Sequence, residues 1–505
     1  MMSALKNVLD ELRKISYLNG AEALLSWDQE TYMPEGAGTA RSNQIAYLST
    51  LTHNTMVGGV MKKNLAELVD LETGDIRDES LPEMEQRRVK EIWRDYHHAA
   101  ALPADFVEEF SKHSSMSQQL WVKARKANDF EMFRPSLEKT LAFKHREIGY
   151  LGAMDTPYDT LLDEYEPHMT SAKVTVLFDE IRARLVPLIK DIQAVKERVD
   201  NQLLRQNYPV AQQWDFGVDM LKVMGFDLKY GRQDKSAHPF TTSTYPTDVR
   251  VTTRLHENDL KSALLSTLHE GGHGLYEQGL PVEEADNPFG QAISLGIHES
   301  QSRLWENLVG LNRHFWTFAY PKLKAYFPTQ LDGVAVDKFY KAINCVQPSL
   351  IRVEADEATY NLHIMVRYEI EKLLINENYP VSKLPELWDD KMEEYLGIRP
   401  DKNANGVLQD VHWSFGAIGY FPTYTLGNLY SAMWFNQAQI EIPGLDEKLA
   451  AGDLMPLRNW LKEKIHRHGR SKSAAELVKE ITGQELSAQP FLDYLEKKYR
   501  GIYGL

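Results

Sequence analysis

Two histidines and a glutamate near the middle of the chain have the spacing of a metal site. His269, Glu270 and His273 form an H-E-x-x-H pattern, which places two imidazoles and one carboxylate around a single zinc ion. Residues four apart lie on one face of a helix, so both histidine rings can bind a common metal. Glu270 projects roughly 100° around the same helix, where it suits a general base acting on a metal-bound water. The pattern therefore predicts a metallopeptidase.

The sequence around this pattern predicts the helix that the metal site requires. Asn258 or Asp259 can cap its first turn, apolar residues recur at helical spacing, and Gly279 can end it. Three glycines interrupt this helix beside the histidines: Gly271, Gly272 and Gly274. Each costs about 1 kcal/mol relative to alanine in an exposed helix, so they need a reason. Two reasons stay open: backbone or substrate approaches the metal closely, or the helix packs tightly against a neighbour.

The third metal ligand must come from outside this pattern, because a catalytic zinc ion usually has three protein ligands and a water. The longer pattern H-E-x-x-H-x-x-G-x-x-H is excluded, since Tyr276 and Gly279 occupy its glycine and third histidine positions. Apolar periodicity over 291–309 predicts a second helix, and we expect its Glu299 to be the third ligand. His298 is a rival ligand or a group that orients one. Weaker candidates are Glu277 and Glu283.

The composition is that of a folded protein in a reducing compartment. Hydrophobic residues make up 43% of the 505 residues, which is ample for a buried core, and no linker or repeat divides the chain. We therefore expect one domain over 1–505. The single cysteine, Cys345, excludes an intrachain disulfide, and no secretory signal or transmembrane segment is predicted, so we expect a cytoplasmic protein. A net charge of -15 disfavours nucleic acids and anionic membranes as partners.

Helical periodicity dominates the chain and predicts a mostly α-helical protein. The clearest helical segments are 1–17, 84–101, 135–151, 171–199, 337–343, 357–375 and 472–481. Strand candidates are few, and the best are the β-branched segments 241–244 and 249–253, just before the predicted metal helix. The fold prediction is therefore a helical protein with a small β element near the metal.

Further motifs follow one another along the chain. They are S-W-D-Q-E-T at 26–31, H-P-F at 238–240, D-x-R-x-T at 248–252, H-E-S-Q at 298–301, I-R-x-x-A-D at 351–356 and G-x-x-Q-D-x-H-W at 406–413. Together with H-E-x-x-H, this series resembles the carboxypeptidase Taq family of zinc metallocarboxypeptidases, peptidase family M32. The resemblance implies two helical lobes around a deep groove with the zinc at its floor. It also implies a homodimer that removes C-terminal amino acids one at a time with broad specificity.

The chemistry of that reaction selects further residues. The oxyanion requires a donor besides the metal, and Tyr420 and Tyr424 are suitable neutral phenols. Resemblance to related zinc peptidases favours Tyr424 for this role and leaves Tyr420 in the substrate site. A free substrate carboxylate is best held by arginine, whose planar group matches two oxygens. Arg352 is the first choice for this clamp and Arg250 the second, while His238 is expected to line the substrate site.

The sequence therefore predicts a metal-dependent carboxypeptidase acting on peptides with a free C-terminus. Zn²⁺, one ion per chain, is the expected metal, and Co²⁺ can substitute for it in such a site. A zinc endopeptidase or oligopeptidase is the alternative, because it would use the same H-E-x-x-H chemistry and differ only in the carboxylate clamp. A helical binding protein with a vestigial metal site is a third possibility, against which the intact Glu270 argues.

Overall fold

Helices dominate the computed structural model, which describes residues 2–505. The helices that precede the strands are α1 (Met2–Thr31), α2 (Gly38–Met56), α3 (Gly59–Leu68), α4 (Glu83–Ala101), α5 (Ala104–Ala127), α6 (Phe130–Leu151), α7 (Pro157–Tyr165), α8 (Ser171–Gln193) and α9 (Val210–Met224). Those that follow are α10 (Leu260–Gly279), α11 (Leu295–Arg303), α12 (Arg313–Tyr326), α13 (Val336–Ile343), α14 (Tyr360–Asn376), α15 (Leu384–Leu396), α16 (Pro422–Glu441), α17 (Leu445–Ala451), α18 (Met455–Lys464), α19 (Ala474–Thr482) and α20 (Gln489–Tyr503). The prediction of a mostly α-helical fold is confirmed.

One small sheet lies directly before α10. Its strands are β1 (Gly231–Lys235), β2 (Thr241–Tyr245) and β3 (Asp248–Thr253), in the order β1-β3-β2. The central strand β3 is parallel to β1 and antiparallel to β2, with Thr242 opposite Arg250. The two predicted strands are confirmed to within one residue. The prediction missed β1, because its sequence G-R-Q-D-K has none of the β-branched or aromatic residues that favour strands, and pairing with β3 holds it.

The predicted helix at 291–309 was wrong at its start. Helix α11 begins only at Leu295, because the Ser294 hydroxyl accepts the Ile297 N–H at 3.0 Å and caps the first turn. A π-helix, Leu304–Val309, follows α11 directly and ends at the predicted residue. The prediction at 1–17 was too short, since α1 continues to Thr31, and Met1 lies outside the described residues. The prediction at 171–199 was too long, because α8 ends at Gln193.

Two groups of buried apolar side chains hold the helices together. The larger group runs through most elements from α5 to α20 and includes the inner face of α10. The smaller one joins α1, α3 and α4 through residues such as Leu12, Leu65 and Ile92. A cavity of ≈ 700 Å³ lies between α1, α2, β2 and the end of α10, and Glu277 is part of its lining. Among the described residues, no helix is both long enough and apolar enough to span a membrane.

Candidate metal centre

Helix α10 carries the H-E-x-x-H pattern as predicted. Its first turn is capped by Asp259, whose carboxylate accepts the Ser262 N–H at 3.2 Å. The rings of His269 and His273 lie side by side on one helix face, with their centroids 4.9 Å apart. The same spacing that predicted a shared metal therefore brings the two rings together.

The three glycines of α10 allow close packing against neighbouring elements. A Cβ added at Gly272 would lie 2.6 Å from the backbone oxygen of Gln301, so α10 and α11 touch backbone to backbone. Added Cβ atoms at Gly271 and Gly274 would each lie 2.7 Å from a core side chain, Leu221 and Phe226 respectively. Of the two explanations for these glycines, the structure favours tight helix packing. That packing brings α11, and with it Glu299, to the histidines.

Glu299 of α11 meets both histidines, and the three residues fit a metal ion. Its carboxylate oxygen lies 3.4 Å from Nε2 of His273 and 3.8 Å from Nε2 of His269. One ligand atom from each of the three residues lies within 4.8 Å of the others. A tetrahedral zinc ion with bonds of about 2.0–2.2 Å separates its ligands by about 3.3–3.6 Å. The Glu299–His273 distance falls in that range and the Glu299–His269 distance is slightly longer, and the donor set of two histidines and one carboxylate suits zinc.

Hydrogen bonds at the Nδ1 atoms orient the imidazoles of His269 and His273. Nδ1 of His269 lies 2.8 Å from Glu306, and since a carboxylate only accepts, Nδ1 carries the proton. His298 lies between the Glu277 carboxylate, 2.8 Å from its Nε2, and Nδ1 of His273, 2.5 Å from its Nδ1. Nε2 of His298 therefore donates to Glu277, and its Nδ1 accepts from His273. Nε2 is therefore the nitrogen of each of these two histidines that would bind a metal. His298 is thus placed as an orienting group rather than as a rival ligand.

An arginine fixes the carboxylate of Glu299. Nε of Arg303 donates to one oxygen of Glu299 at 2.6 Å, and its Nη1 donates to Glu306 at 3.1 Å. The Ser302 hydroxyl donates to the other Glu299 oxygen at 3.2 Å. Burial alone would raise the pKa of Glu299, but Arg303 and His269 hold it well below its usual range. Gly427 of α16 makes room here, since a Cβ there would lie 2.7 Å from the Glu299 side chain.

The charges of this cluster favour a bound cation. Burial acts to lower the pKa of His269, yet the carboxylates of Glu299 and Glu306 outweigh it and raise the pKa to about 9. The pocket therefore stabilises a positive charge at this position, which a divalent cation supplies. Burial and the neighbouring His298 ring lower the pKa of His273 to about 4, and this imidazole is neutral at pH 7, as a ligand must be.

Glu270 is buried beside the metal residues and is held by the sheet. The Thr241 hydroxyl of β2 donates to its carboxylate at 2.7 Å. Burial raises the pKa of Glu270 above its usual value, against the opposing effect of His269. A carboxylate whose pKa moves towards neutrality is a better general base at physiological pH. The position and the environment of Glu270 both suit proton transfer.

Arg352 lies in a group of ionic and aromatic partners. Its Nε donates to Asp410 at 3.0 Å, its Nη1 donates to the Tyr360 hydroxyl at 3.1 Å, and its guanidinium carbon lies 5.2 Å from the centre of the Tyr424 ring. Arg367 donates to the other Asp410 oxygen at 2.7 Å. Two guanidinium groups share one carboxylate, so the group retains a net positive charge that an anion can neutralise.

The two predicted tyrosines contact each other next to Arg352. The Tyr424 hydroxyl donates to that of Tyr420 at 3.3 Å. Burial raises the pKa of Tyr424 well above its ordinary value, so the phenol keeps its proton and remains a donor. The ring of His412 stacks on Tyr420 with the centroids 5.4 Å apart. Its Nδ1 lies 3.9 Å from Asp410, which is too long for a hydrogen bond.

Arg250 and His238 have other surroundings. Arg250 forms two hydrogen bonds of 2.9 Å with Asp248, and its guanidinium lies 4.4 Å from the centre of the Trp27 ring. It therefore joins the sheet to α1. His238 is exposed in the segment between β1 and β2, where the Ser236 hydroxyl donates to its carbonyl oxygen at 2.6 Å. Of the two arginines proposed for the carboxylate clamp, Arg352 is the one that shares partners with Tyr424.

Sequence reasoning missed several residues of this site. Arg303 and Glu306 follow Glu299 by four and seven residues, and this helical spacing was a signal that could have found them. Thr241 and Tyr360 gave no such signal, because tertiary packing alone brings them to Glu270 and Arg352.

Known proteins resemble this chain over almost its whole length. The family model described as carboxypeptidase Taq (M32) metallopeptidase matches residues 7–499. The chain belongs to this family. It is 40% identical to thermostable carboxypeptidase 1 of Thermus thermophilus and 38% identical to carboxypeptidase 1 of Bacillus subtilis, with 99% of each chain covered in both cases. The crystal structure of an M32 carboxypeptidase from Deinococcus radiodurans superposes with a TM-score of 0.95, at 39% identity and with 100% of both chains covered. As a member of the M32 family, the chain is a metallocarboxypeptidase, a hydrolase that acts on peptide bonds.

Proposed function

We propose that this metallocarboxypeptidase uses zinc and removes single C-terminal amino acids with broad specificity. One observation carries the proposal: His269, His273 and Glu299 converge with both Nε2 atoms facing the Glu299 carboxylate, and the buried Glu270 lies beside them. Two imidazoles and a carboxylate suit zinc, for which cobalt can substitute. Bound zinc supplies a Lewis acid and lowers the pKa of a water molecule to about 7.

The residues of the chain supply the proton transfers. Glu270 takes the proton of the attacking water and passes it to the leaving nitrogen, and the Thr241 hydroxyl at 2.7 Å keeps its carboxylate in place. Tyr424 donates to the oxyanion that develops on the carbonyl, for which its raised pKa keeps a proton available at neutral pH. Tyr420 supports it through the hydroxyl contact at 3.3 Å and lines the substrate site.

Arg352 holds the free carboxylate of the substrate. The Asp410 carboxylate is shared by two arginines, so the positive charge there exceeds the negative charge by one, and a peptide C-terminus restores the balance. Arg352 also lies beside Tyr424, the proposed donor to the oxyanion, with its guanidinium carbon 5.2 Å from the centre of that ring. Arg250 stays the second choice, because it already pairs with Asp248. His238, in its exposed segment, lines the outer part of the substrate site.

The remaining properties follow from the family resemblance and the composition. We propose a single catalytic domain over 1–505 with two lobes around a groove, which the two separate apolar cores support. We also propose a homodimer in the cytoplasm, in keeping with the single cysteine and the net charge of -15. Peptides with a free C-terminus are the proposed substrates, and neither nucleic acids nor membranes are proposed as partners.

A pair of peptides that differ only at the C-terminus tests the exopeptidase proposal. The enzyme receives a peptide with a free carboxylate and the same peptide amidated, and mass spectrometry follows the products. We expect stepwise loss of single C-terminal residues from the free acid. The amidated peptide should react at least about 100-fold more slowly, because an amide cannot form the charge-assisted hydrogen bonds that a carboxylate accepts from arginine, and each of these contributes about 1.5–3 kcal/mol. Equal rates, or cleavage at internal bonds, would instead identify an endopeptidase with the same metal site.

A further inference from the structure

Tyr360, the first residue of α14, lies between the residues of the candidate metal site and Arg352, the proposed carboxylate clamp. Its hydroxyl accepts a hydrogen bond from Nη1 of Arg352 at 3.1 Å. The guanidinium carbon of Arg303 lies 4.3 Å from the centre of its ring. Its ring makes an edge-to-face contact with the ring of Tyr424, with the centroids 6.0 Å apart and the planes at 89°. One side chain that is only 5% exposed thus contacts three groups assigned to different parts of the reaction.

The ring of Tyr360 acts on the metal side of the site. Arg303 donates to Glu299 and to Glu306, and these two carboxylates orient or supply ligands of the metal. A guanidinium stacked on an aromatic face is attracted by the ring and loses freedom to rotate away from it. The ring therefore keeps Arg303 in the position from which it reaches both carboxylates.

The hydroxyl of Tyr360 acts on the substrate side. The Nε and Nη2 groups of Arg352 contact Asp410, whereas Nη1 points to the phenol oxygen. A second carboxylate at this position would cancel the charge that has to attract the substrate. The phenol stays neutral, since burial raises the pKa of Tyr360 to about 12, and so it orients the guanidinium without reducing its charge.

We propose that Tyr360 is a positioning residue that couples the carboxylate clamp to the metal centre. Its hydroxyl aims Arg352, and its ring holds Arg303 on Glu299. The proposal rests on the carboxypeptidase function proposed above. A contact path of three side chains, Arg303, Tyr360 and Arg352, then joins metal binding to recognition of the C-terminus. Tyr360 itself transfers no proton and binds no metal.

Two substitutions separate the two roles of the side chain. Tyr360→Phe removes the hydroxyl and keeps the ring, whereas Tyr360→Leu removes both. Tyr208→Phe is the matched control, because Tyr208 is a fully buried tyrosine whose hydroxyl donates to the Leu203 carbonyl at 2.7 Å. Each variant is assayed on the free and amidated peptides, and the rate at which a chelator removes the metal is measured without substrate.

The preference for the free acid is the kcat/KM for the free peptide divided by that for the amidated peptide. We expect Tyr360→Phe to lower this ratio by about tenfold, because it loses a hydrogen bond to a charged group. The loss should appear as a higher KM for the free peptide. The metal should leave this variant no faster than it leaves the wild type. Tyr360→Leu should show the same loss of preference and release metal about tenfold faster, as orienting residues around metal sites do when removed. Compared with Tyr360→Leu, the Tyr360→Phe enzyme should therefore retain its metal as the wild type does but still lack the preference for the free acid.

A Tyr360→Phe preference within about twofold of wild type, when the Tyr208→Phe control is also unchanged, would overturn the role of the hydroxyl. Metal release from Tyr360→Leu at the wild-type rate would overturn the role of the ring. If the wild-type enzyme itself does not prefer the free acid, the carboxypeptidase proposal is the one that fails. The chelator rates still decide in that case whether the ring holds Arg303.

Discussion

Each of the two histidines of the candidate metal site is oriented by a carboxylate, one through a direct hydrogen bond and the other through an intervening histidine. Glu306 accepts directly from His269, whereas Glu277 acts on His273 through the ring of His298. The second arrangement requires His298 to accept on one nitrogen and donate on the other, which only its neutral form does. His298, a rival ligand in the sequence-based prediction, thus sets the tautomer of His273.

The role of His298 predicts weaker metal binding when it is removed. His298→Ala leaves the Nδ1 proton of His273 without its acceptor, so this imidazole loses its fixed orientation. We expect metal affinity to fall about 10- to 100-fold, and excess zinc to restore much of the activity. A competition titration with a chromophoric chelator measures the affinity.

His314→Ala is the control for that titration, because His314 is a half-exposed histidine at the start of α12. The orienting role of His298 would be contradicted if both alanine variants bound zinc as tightly as the wild type.

At this scale the sequence was informative wherever helical spacing alone decides which residues meet. The meeting of His269 and His273 on one helix face was predictable from their separation of four residues. The choice of Glu299 rested on a predicted second helix, and the structure brings it to the histidines although that helix starts at Leu295. The links through Glu277 and Tyr360 had no pattern in the sequence, because contacts across the fold create them.

At the scale of elements, the contact between α10 and α11 sets the geometry of the site. Gly272 lets the two backbones approach so closely that α11 presents Glu299 to the rings of α10. Gly427 of α16 does the same on the opposite flank of the Glu299 side chain. Glycines that weaken α10 as an isolated helix are therefore required by the packing around it.

Gly272→Ala tests this packing. The added Cβ would lie 2.6 Å from the Gln301 carbonyl oxygen, and a backbone atom cannot rotate away, so α11 has to move. We expect the unfolding free energy to fall by about 1–3 kcal/mol, as in overpacked cores, and metal affinity to fall with it. Denaturant unfolding and zinc titration measure the two effects.

Gly149→Ala in α6 is the matched control, because a Cβ there meets nothing within 4 Å. The helix propensity of alanine should make it more stable by up to about 1 kcal/mol. If Gly272→Ala were as harmless as Gly149→Ala, the close approach of α10 and α11 would not be what positions Glu299.

Elements with a clear periodic pattern were predictable, and elements defined by their partners were not. The metal helix was predicted with its cap and its end, because Asp259 and the apolar spacing are local features. Strand β1 escaped prediction, since its polar sequence forms a strand only beside β3. The π-helix after Arg303 also has no local signature, as it depends on how α11 packs.

At the scale of the whole molecule, the buried carboxyl of Glu371 connects distant helices to the site. Glu371 of α14 accepts hydrogen bonds from the Trp413 indole at 2.8 Å, the Tyr158 hydroxyl at 2.9 Å and the Gly419 N–H at 3.0 Å. Gly419 has a positive φ of 90°, which favours glycine, and it directly precedes Tyr420. Glu371 therefore anchors the turn that leads into the tyrosine pair.

The titration of Glu371 predicts a pH dependence of stability. Burial raises its pKa from 4.5 to about 7 in the folded protein. Between these pH values the folded state holds a proton that the unfolded state has lost, so stability falls as the pH rises through this window. Glutamine cannot ionise. The Tm of Glu371→Gln relative to wild type should therefore rise between pH 5 and pH 8.

The exposed Glu72→Gln serves as the control for these melting curves, and its Tm difference from wild type should stay flat over the same range. If the Tm difference of Glu371→Gln fell or stayed constant from pH 5 to pH 8, Glu371 would not be the buried carboxyl that loses its proton at neutral pH.

The most direct test of the whole account is the turnover of Glu270→Gln at known metal occupancy. Glutamine fills the same space beside His269 and can accept the Thr241 hydrogen bond, but it cannot take a proton. We predict a protein with the wild-type zinc content whose kcat is lower by about 100- to 10,000-fold, while Glu283→Gln, an exposed acid beyond α10, stays fully active. A zinc-loaded Glu270→Gln enzyme that releases C-terminal residues at the wild-type rate would contradict the account.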